Sequence, residues 1–130
     1  MRRLALVSLV VLAAGAVSAQ GPAAIDWAAV DVETLKHFQA IVQIDSTDPP
    51  TTPPGVEKPV VDYIRAVLEK EGIATETIAL DPNRPNLVAR LKGSGKKRPL
   101  LLMAHTDTVN IDVKKWTHPP FSALRQDGYI

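Results

Sequence analysis

The chain of 130 residues contains no cysteine. This absence excludes disulfide scaffolds, Cys-ligated zinc and iron–sulfur sites and thiol nucleophiles, so any metal ion must be held by His, Asp or Glu. A basic excess is also missing, since 15 Lys and Arg stand against 14 Asp and Glu. Together with the lack of a glycine-rich phosphate loop, this balance argues against nucleic acid as a partner.

The first 19 residues have the pattern of a secretory signal peptide. Arg2 and Arg3 precede an uncharged apolar run, Leu4–Val17, which ends in the small residues read by a signal peptidase. A membrane anchor is the alternative, but a spanning helix needs about 20 apolar residues. We therefore expect cleavage after Ala19, no membrane association afterwards, and a mature chain that is periplasmic or secreted.

The mature chain alternates between helical and extended patterns, which predicts an α/β fold. Residues 20–30 lack a strong period and are expected to form a flexible lead-in to the domain at 31–130. Apolar residues then recur at helical spacing in two segments. The predicted helices run from Asp31 or Glu33 to about Ile44, and from Val56 to Glu71 with Gly72 as the stop. The proline-rich residues 45–55 between them predict an extended loop.

The second half of the domain has strand patterns. Residues 75–80 and 86–92 alternate in polarity and are separated by a proline-containing turn. Leu100–Ala104 is a continuous apolar run, which predicts a central strand covered by helices on both faces. The chain passes directly from this run into His105-Thr106-Asp107.

His105 and Asp107 are the candidate site residues. Side chains at i and i+2 on an extended backbone point to the same side, and sites of open α/β sheets form beyond the carboxyl ends of strands. One interpretation is that His105 binds a metal while Asp107 accepts the other imidazole N–H and orients the ring. Alternatively, both are ligands, or Asp107 merely satisfies a half-exposed histidine.

Residues 101–109, LLMAHTDTV, closely resemble a metal-site signature of the zinc metallo-exopeptidase family that contains aminoacylase, acetylornithine deacetylase, succinyl-diaminopimelate desuccinylase and glutamate carboxypeptidase. Four further segments resemble that family in the same order along the chain. They are DSTDPP at 45–50, RPNLVA at 84–89, KWTHPPFS at 115–122 and DGYI at 127–130. The PPFS form is most similar to the carboxypeptidase S-like branch.

The resemblance implies a metal-dependent amide hydrolase. His105 matches a zinc ligand of the family, and Asp107 matches the catalytic aspartate that holds or polarises that ligand. Two zinc ions would be expected in the complete enzyme, with cobalt or manganese as possible substitutes, and the substrate would be a small peptide or an N-acyl amino acid. The chain would then be the N-terminal part of a three-layer α/β/α catalytic domain, and inactive alone. The alternative function is an exported, non-catalytic α/β binding module with a structural His-x-Asp.

The other two histidines give weaker indications of a function than His105 does. His37 is expected to be a partly exposed helix residue without a role in chemistry. His118 is expected to lie in a loop, from which it could approach substrate in a complete enzyme.

The signal-peptide pattern predicts that the exported protein begins at Gln20. N-terminal sequencing of protein recovered from the periplasm or the medium tests this directly. An intact Met1 in a membrane pellet would show that the apolar run is an anchor instead.

Overall fold

The computed structural model describes residues 24–48 and 56–130. The predicted signal peptide and the proline-rich residues 49–55 lie outside these ranges. The described elements are α1 (Trp27–Val42), α2 (Lys58–Lys70), β1 (Thr75–Ile78), β2 (Asn86–Ala89) and a 3₁₀ turn (Val113–Lys115). Within the described ranges, no helix has the length and apolar character needed to cross a membrane.

Helix α1 begins four residues earlier than the sequence pattern indicated. The Asp26 carboxylate accepts a hydrogen bond from the Ala29 N–H at 3.1 Å, so Asp26 is the N-cap. The prediction of a flexible lead-in was therefore wrong for residues 27–30. A cap needs only one short polar side chain, and it can start a helix in a segment without apolar periodicity.

Helix α1 is held to the rest of the protein by polar contacts rather than by a buried face. None of its residues is buried, and Phe38 is half exposed. His37 Nδ1 lies 2.7 Å from the Tyr63 hydroxyl oxygen on α2, and Gln39 donates to the Ala123 carbonyl at 3.0 Å. His37 thus joins the two helices, as suits a structural helix residue.

Helix α2 agrees closely with its prediction and supplies most of the core. Pro59 occupies the first turn, and Gly72 has the left-handed φ of 73° expected of the residue that stops a helix. Val60 is only 1% exposed, and Val61 is also buried. The helix packs against both strands of the sheet.

Strands β1 and β2 form an antiparallel pair that is shorter than predicted. Its register places Thr75 opposite Ala89 and Ile78 opposite Asn86. The next partner on the second strand would be Pro85, which has no N–H to donate, so the ladder ends there. At the other end, β1 begins at Thr75, directly after the segment that caps α2, so the strand pairing ends at Ala89 and residues 90–92 have no backbone pairing with β1.

The prediction of a buried central strand at Leu100–Ala104 was wrong for the described structure. None of these five residues has strand pairing, and Leu100, Leu101, Leu102 and Met103 are 77–83% exposed. An apolar run becomes a central strand only when neighbouring strands and helices cover it. Of the described strands, β1 and β2 pair only with each other.

We predict that residues 20–130, produced alone, associate or remain partly molten because Leu100–Met103 offers apolar surface to another chain. Sedimentation and amide dispersion in NMR spectra measure this. The double variant Leu101→Glu/Leu102→Glu should raise the fraction of soluble monomer several-fold.

Leu80→Glu is the matched control, because Leu80 is fully exposed but lies apart from the apolar run. It should leave association unchanged. A monomer of the unmodified segment with cooperative unfolding and well-dispersed amide signals would contradict the prediction.

Candidate functional site

His105 and Asp107 lie side by side, as their spacing predicted. His105 Nδ1 is 3.0 Å from the Asp107 carbonyl oxygen and 3.2 Å from the carboxylate Oδ1. The His105 side chain is 84% exposed, and that of Asp107 is 44% exposed. The local geometry therefore places a carboxylate against one nitrogen of an accessible imidazole.

These contacts determine which imidazole nitrogen carries the proton in the neutral ring. A backbone carbonyl can only accept a hydrogen bond, so Nδ1 must be the donor to the Asp107 oxygens. The Nε2 lone pair is then directed away from Asp107. A histidine with this tautomer can act as a metal ligand, a base or a hydrogen-bond acceptor through Nε2.

The His105-x-Asp107 segment lines a cleft against the helix and sheet. Val61 and Ile64 of α2 and Leu87 of β2 are apolar residues that line the same cleft. Glu57 and Arg84 supply charged groups to the same cleft. The arrangement is a concave surface with an apolar wall and a few convergent polar groups, which is typical of small-molecule sites.

Arg84 joins two carboxylates at one end of this cleft. Its Nε donates to both oxygens of Glu57 at 3.1 Å, and its Nη2 lies 2.8 Å from Glu57 Oε1. Nη2 also donates to Asp48 Oδ2 at 3.2 Å. The hydrogen bond that Arg84 donates to Glu57, helped by the charges of Glu57 and Asp48, raises the pKa of Arg84 above its ordinary value. The guanidinium is therefore a permanent cation in this cluster.

A second ion-pair cluster lies on the exposed side of α2. Asp62 accepts hydrogen bonds from Lys58 and from Arg65. The hydrogen bond from Lys58 is the main cause that lowers the pKa of Asp62. Because these three residues lie one helical turn apart on α2, the cluster supports the helix rather than the cleft.

A short parallel bridge ties the loop after α1 to the end of the His105 segment. The Thr108 N–H donates to the Ser46 carbonyl at 3.0 Å, and the Asp48 N–H donates to the Thr108 carbonyl at 2.9 Å. Ser46 is buried. The backbone immediately after Asp107 is thereby fixed against a segment about 60 positions earlier in the chain.

The other candidate residues lie elsewhere. His118 lines a different concavity, together with Trp116 and Tyr129, and is exposed. Asp112 caps the 3₁₀ turn by accepting from the Lys114 N–H at 3.2 Å. Among the described residues, no group of three His, Asp or Glu side chains is arranged to hold a metal ion.

The sequence analysis missed the cluster of Asp48, Glu57 and Arg84. In the sequence, Arg84 falls in the proline-containing turn and begins the RPNLVA segment, and Glu57 falls in the first turn of the second predicted helix. The partners are separated by 27 and 36 positions, so no local pattern could indicate their contact. The DSTDPP and RPNLVA segments contain Asp48 and Arg84, and their order along the chain indicated a family. That order gives no information about whether the two segments are in contact.

Comparison with characterised proteins gives three informative relatives. The chain is 37% identical over 101 residues to N-formyl-4-amino-5-aminomethyl-2-methylpyrimidine deformylase of Halalkalibacterium halodurans, over 75% of the chain and 23% of that protein. It is 34% identical over 97 residues to acetylornithine deacetylase of Vibrio atlanticus, over 75% and 25%. It is 29% identical over 102 residues to succinyl-diaminopimelate desuccinylase of Delftia acidovorans, again over 75% and 25%.

The chain therefore spans about a quarter of the length of the relatives it matches. No family model and no solved structure gives a significant match. The names of all three relatives describe removal of an acyl group from an amine. The resemblance found in the sequence is thus confirmed: the chain belongs to the family of amide hydrolases that includes acetylornithine deacetylase and succinyl-diaminopimelate desuccinylase.

Proposed function

We propose that this chain is the N-terminal portion of an exported, zinc-dependent hydrolase of amide bonds. The substrate would be a small peptide or an N-acyl amino acid. The observation that carries the proposal is the orientation of His105, whose Nδ1 donates to Asp107 and whose Nε2 is left to accept. The alternative of a non-catalytic binding module is disfavoured, because the relatives are hydrolases of small acyl-amino compounds.

The donor set of the cleft suits zinc in type but is incomplete. Imidazole and carboxylate are both ordinary zinc ligands, and a catalytic zinc usually has about three protein ligands. Residues 24–48 and 56–130 do not assemble three such groups. We therefore propose that His105 is one ligand, that further ligands and the general base lie beyond Ile130, and that two zinc ions complete the site, with cobalt or manganese as substitutes.

The role of this chain in the reaction follows from its own residues. Asp107 fixes the imidazole tautomer and the orientation of the ring, so that Nε2 of His105 is presented to a metal. Zinc, when bound, supplies charge that polarises the scissile carbonyl and lowers the pKa of water. The apolar wall formed by Val61, Ile64 and Leu87 would exclude water from one side of the cleft.

The same proposal accounts for the uncovered apolar run. In the complete protein, Leu100–Ala104 would become a central strand of a three-layer α/β/α domain, with His105 and Asp107 at its carboxyl end. Under this proposal the isolated chain would be inactive, because the general base and the further metal ligands would lie beyond Ile130. In the complete protein, we therefore expect Leu100–Met103 to be buried and amide-hydrolase activity to be present.

We expect His105→Ala in the complete protein to remove one zinc ion and nearly all turnover, since it deletes the proposed ligand. Zinc per chain and hydrolysis of a panel of N-acyl amino acids and dipeptides are the measurements. His118→Ala is the matched control and should retain full zinc content, because His118 lines another concavity. Wild-type zinc content and turnover in His105→Ala would contradict the metal-site proposal. Loss of zinc in His118→Ala would show that the proposal assigned the wrong histidine as the ligand.

Asp107→Asn should preserve the fold and lower metal affinity or turnover by about 10–100-fold, the usual cost of losing the partner of a metal-bound histidine. Chelator competition measures the affinity, and circular dichroism checks the fold. A much larger loss would indicate that Asp107 ligates metal or takes part in the chemistry directly. No loss at all would refute its orienting role.

A further inference from the structure

Arg84 connects three parts of the chain that are distant in sequence. It lies in the turn between β1 and β2, and its guanidinium contacts Glu57 before α2 and Asp48 at the end of the loop after α1. The turn is also joined to α2 through the backbone, because the Lys58 N–H donates to the Asn83 carbonyl at 3.0 Å. Arg84 thus links the sheet and α2 to the loop of Asp48.

The loop held by Arg84 is the one that fixes the candidate site. Asp48 donates its N–H to the Thr108 carbonyl, and Thr108 follows Asp107 directly. Among the described residues, the hydrogen bonds that tie residues 98–108 to distant parts of the chain are the two of the Thr108 bridge. The position of His105 and Asp107 relative to α2 and β2 therefore depends on the place of Asp48.

The charges of this cluster fit positioning better than binding of an anionic substrate. Nε and Nη2 of Arg84 already face carboxylate oxygens, and two carboxylates outnumber one guanidinium. An added anion would meet a net negative cluster. The planar guanidinium donates to two acceptors in a fixed geometry, which an ammonium group cannot reproduce.

We propose that Arg84 is a positioning residue of the candidate active site, which sets the location of His105 and Asp107 through Asp48 and the Thr108 bridge. This inference rests on the proposed function. Misplacement of a reacting group by about 1 Å can reduce turnover a hundredfold, so a contact several residues from the chemistry can control the rate.

The test uses the complete, zinc-loaded protein and two sets of changes. Asp48→Ala removes the link to the loop and leaves the buried Glu57 with its partner Arg84. The double variant Glu57→Gln/Arg84→Met removes the anchor without leaving Glu57 as an unpaired buried charge. The matched control is Arg90→Met, because Arg90 forms an exposed ion pair with Glu76 on the same sheet.

Two readouts separate positioning from general stability. The first is hydrogen exchange of the Thr108 and Asp48 amides, which should become at least about tenfold faster in Asp48→Ala and in Glu57→Gln/Arg84→Met, while the Gln43 amide at the end of α1 is unchanged. The second is turnover, which should fall between about tenfold and a hundredfold in kcat with little change in KM. The variant that combines Asp48→Ala with Glu57→Gln/Arg84→Met should lose no more kcat than the more impaired of the two separate variants. Both sets of changes act through the same series of contacts.

The outcomes are distinguishable. Wild-type hydrogen exchange of the Thr108 amide in both sets of variants would overturn the proposal. Faster exchange with unchanged kcat would also overturn it, since the bridge would then have no effect on the chemistry. Additive losses in the combined variant would also overturn it. Failure of the proposed function is detected separately by zinc and turnover in His105→Ala, whereas the exchange readout requires no activity.

Discussion

The carboxylate of Glu57 imposes the constraint on which the described fold depends. Glu57 is only 5% exposed, and a carboxylate removed from water is unfavourable unless a cation and hydrogen bonds compensate it. Arg84 provides both, through a paired contact with the two carboxylate oxygens. Because Arg84 lies in the β1–β2 turn, satisfying Glu57 also fixes the turn against the beginning of α2.

The same pair explains why α2 starts without a side-chain cap. Glu57 occupies the N-cap position, but its carboxylate makes no capping hydrogen bond. It faces Arg84 instead, while Pro59 removes one of the backbone donors that a cap would otherwise satisfy. The negative charge still lies at the helix N-terminus, where the helix dipole favours it. One side chain thus serves the helix end and the tertiary contact together.

The features that could be predicted from sequence are those whose causes are local. Pro59 and Gly72 mark the two ends of α2 through their own backbone restrictions, and His105 and Asp107 meet because they are two residues apart on one segment. Burial of Leu100–Ala104 depends instead on what lies beside it, so its apolar pattern alone overestimated its burial. The contacts of Arg84 are likewise set by the fold. The Asp26 cap that starts α1 at Trp27 is an exception, because its cause is local but does not show in the apolar periodicity from which the helix was predicted.

This division between local and distant causes also determines what the candidate site contains. A histidine and its orienting carboxylate form a unit that a short segment can encode, and Asp107 fixes the ring of His105 whether or not other ligands are near. The remaining requirement is to place that unit against the rest of the protein, and neither the apolar run before it nor the loop after it has regular structure in the described chain. The backbone bridge at Thr108 meets this requirement by joining the unit to the loop of Asp48, which Arg84 holds to α2 and the sheet. An exposed site segment thereby obtains its position from an ion pair whose carboxylate partner, Glu57, is nearly buried.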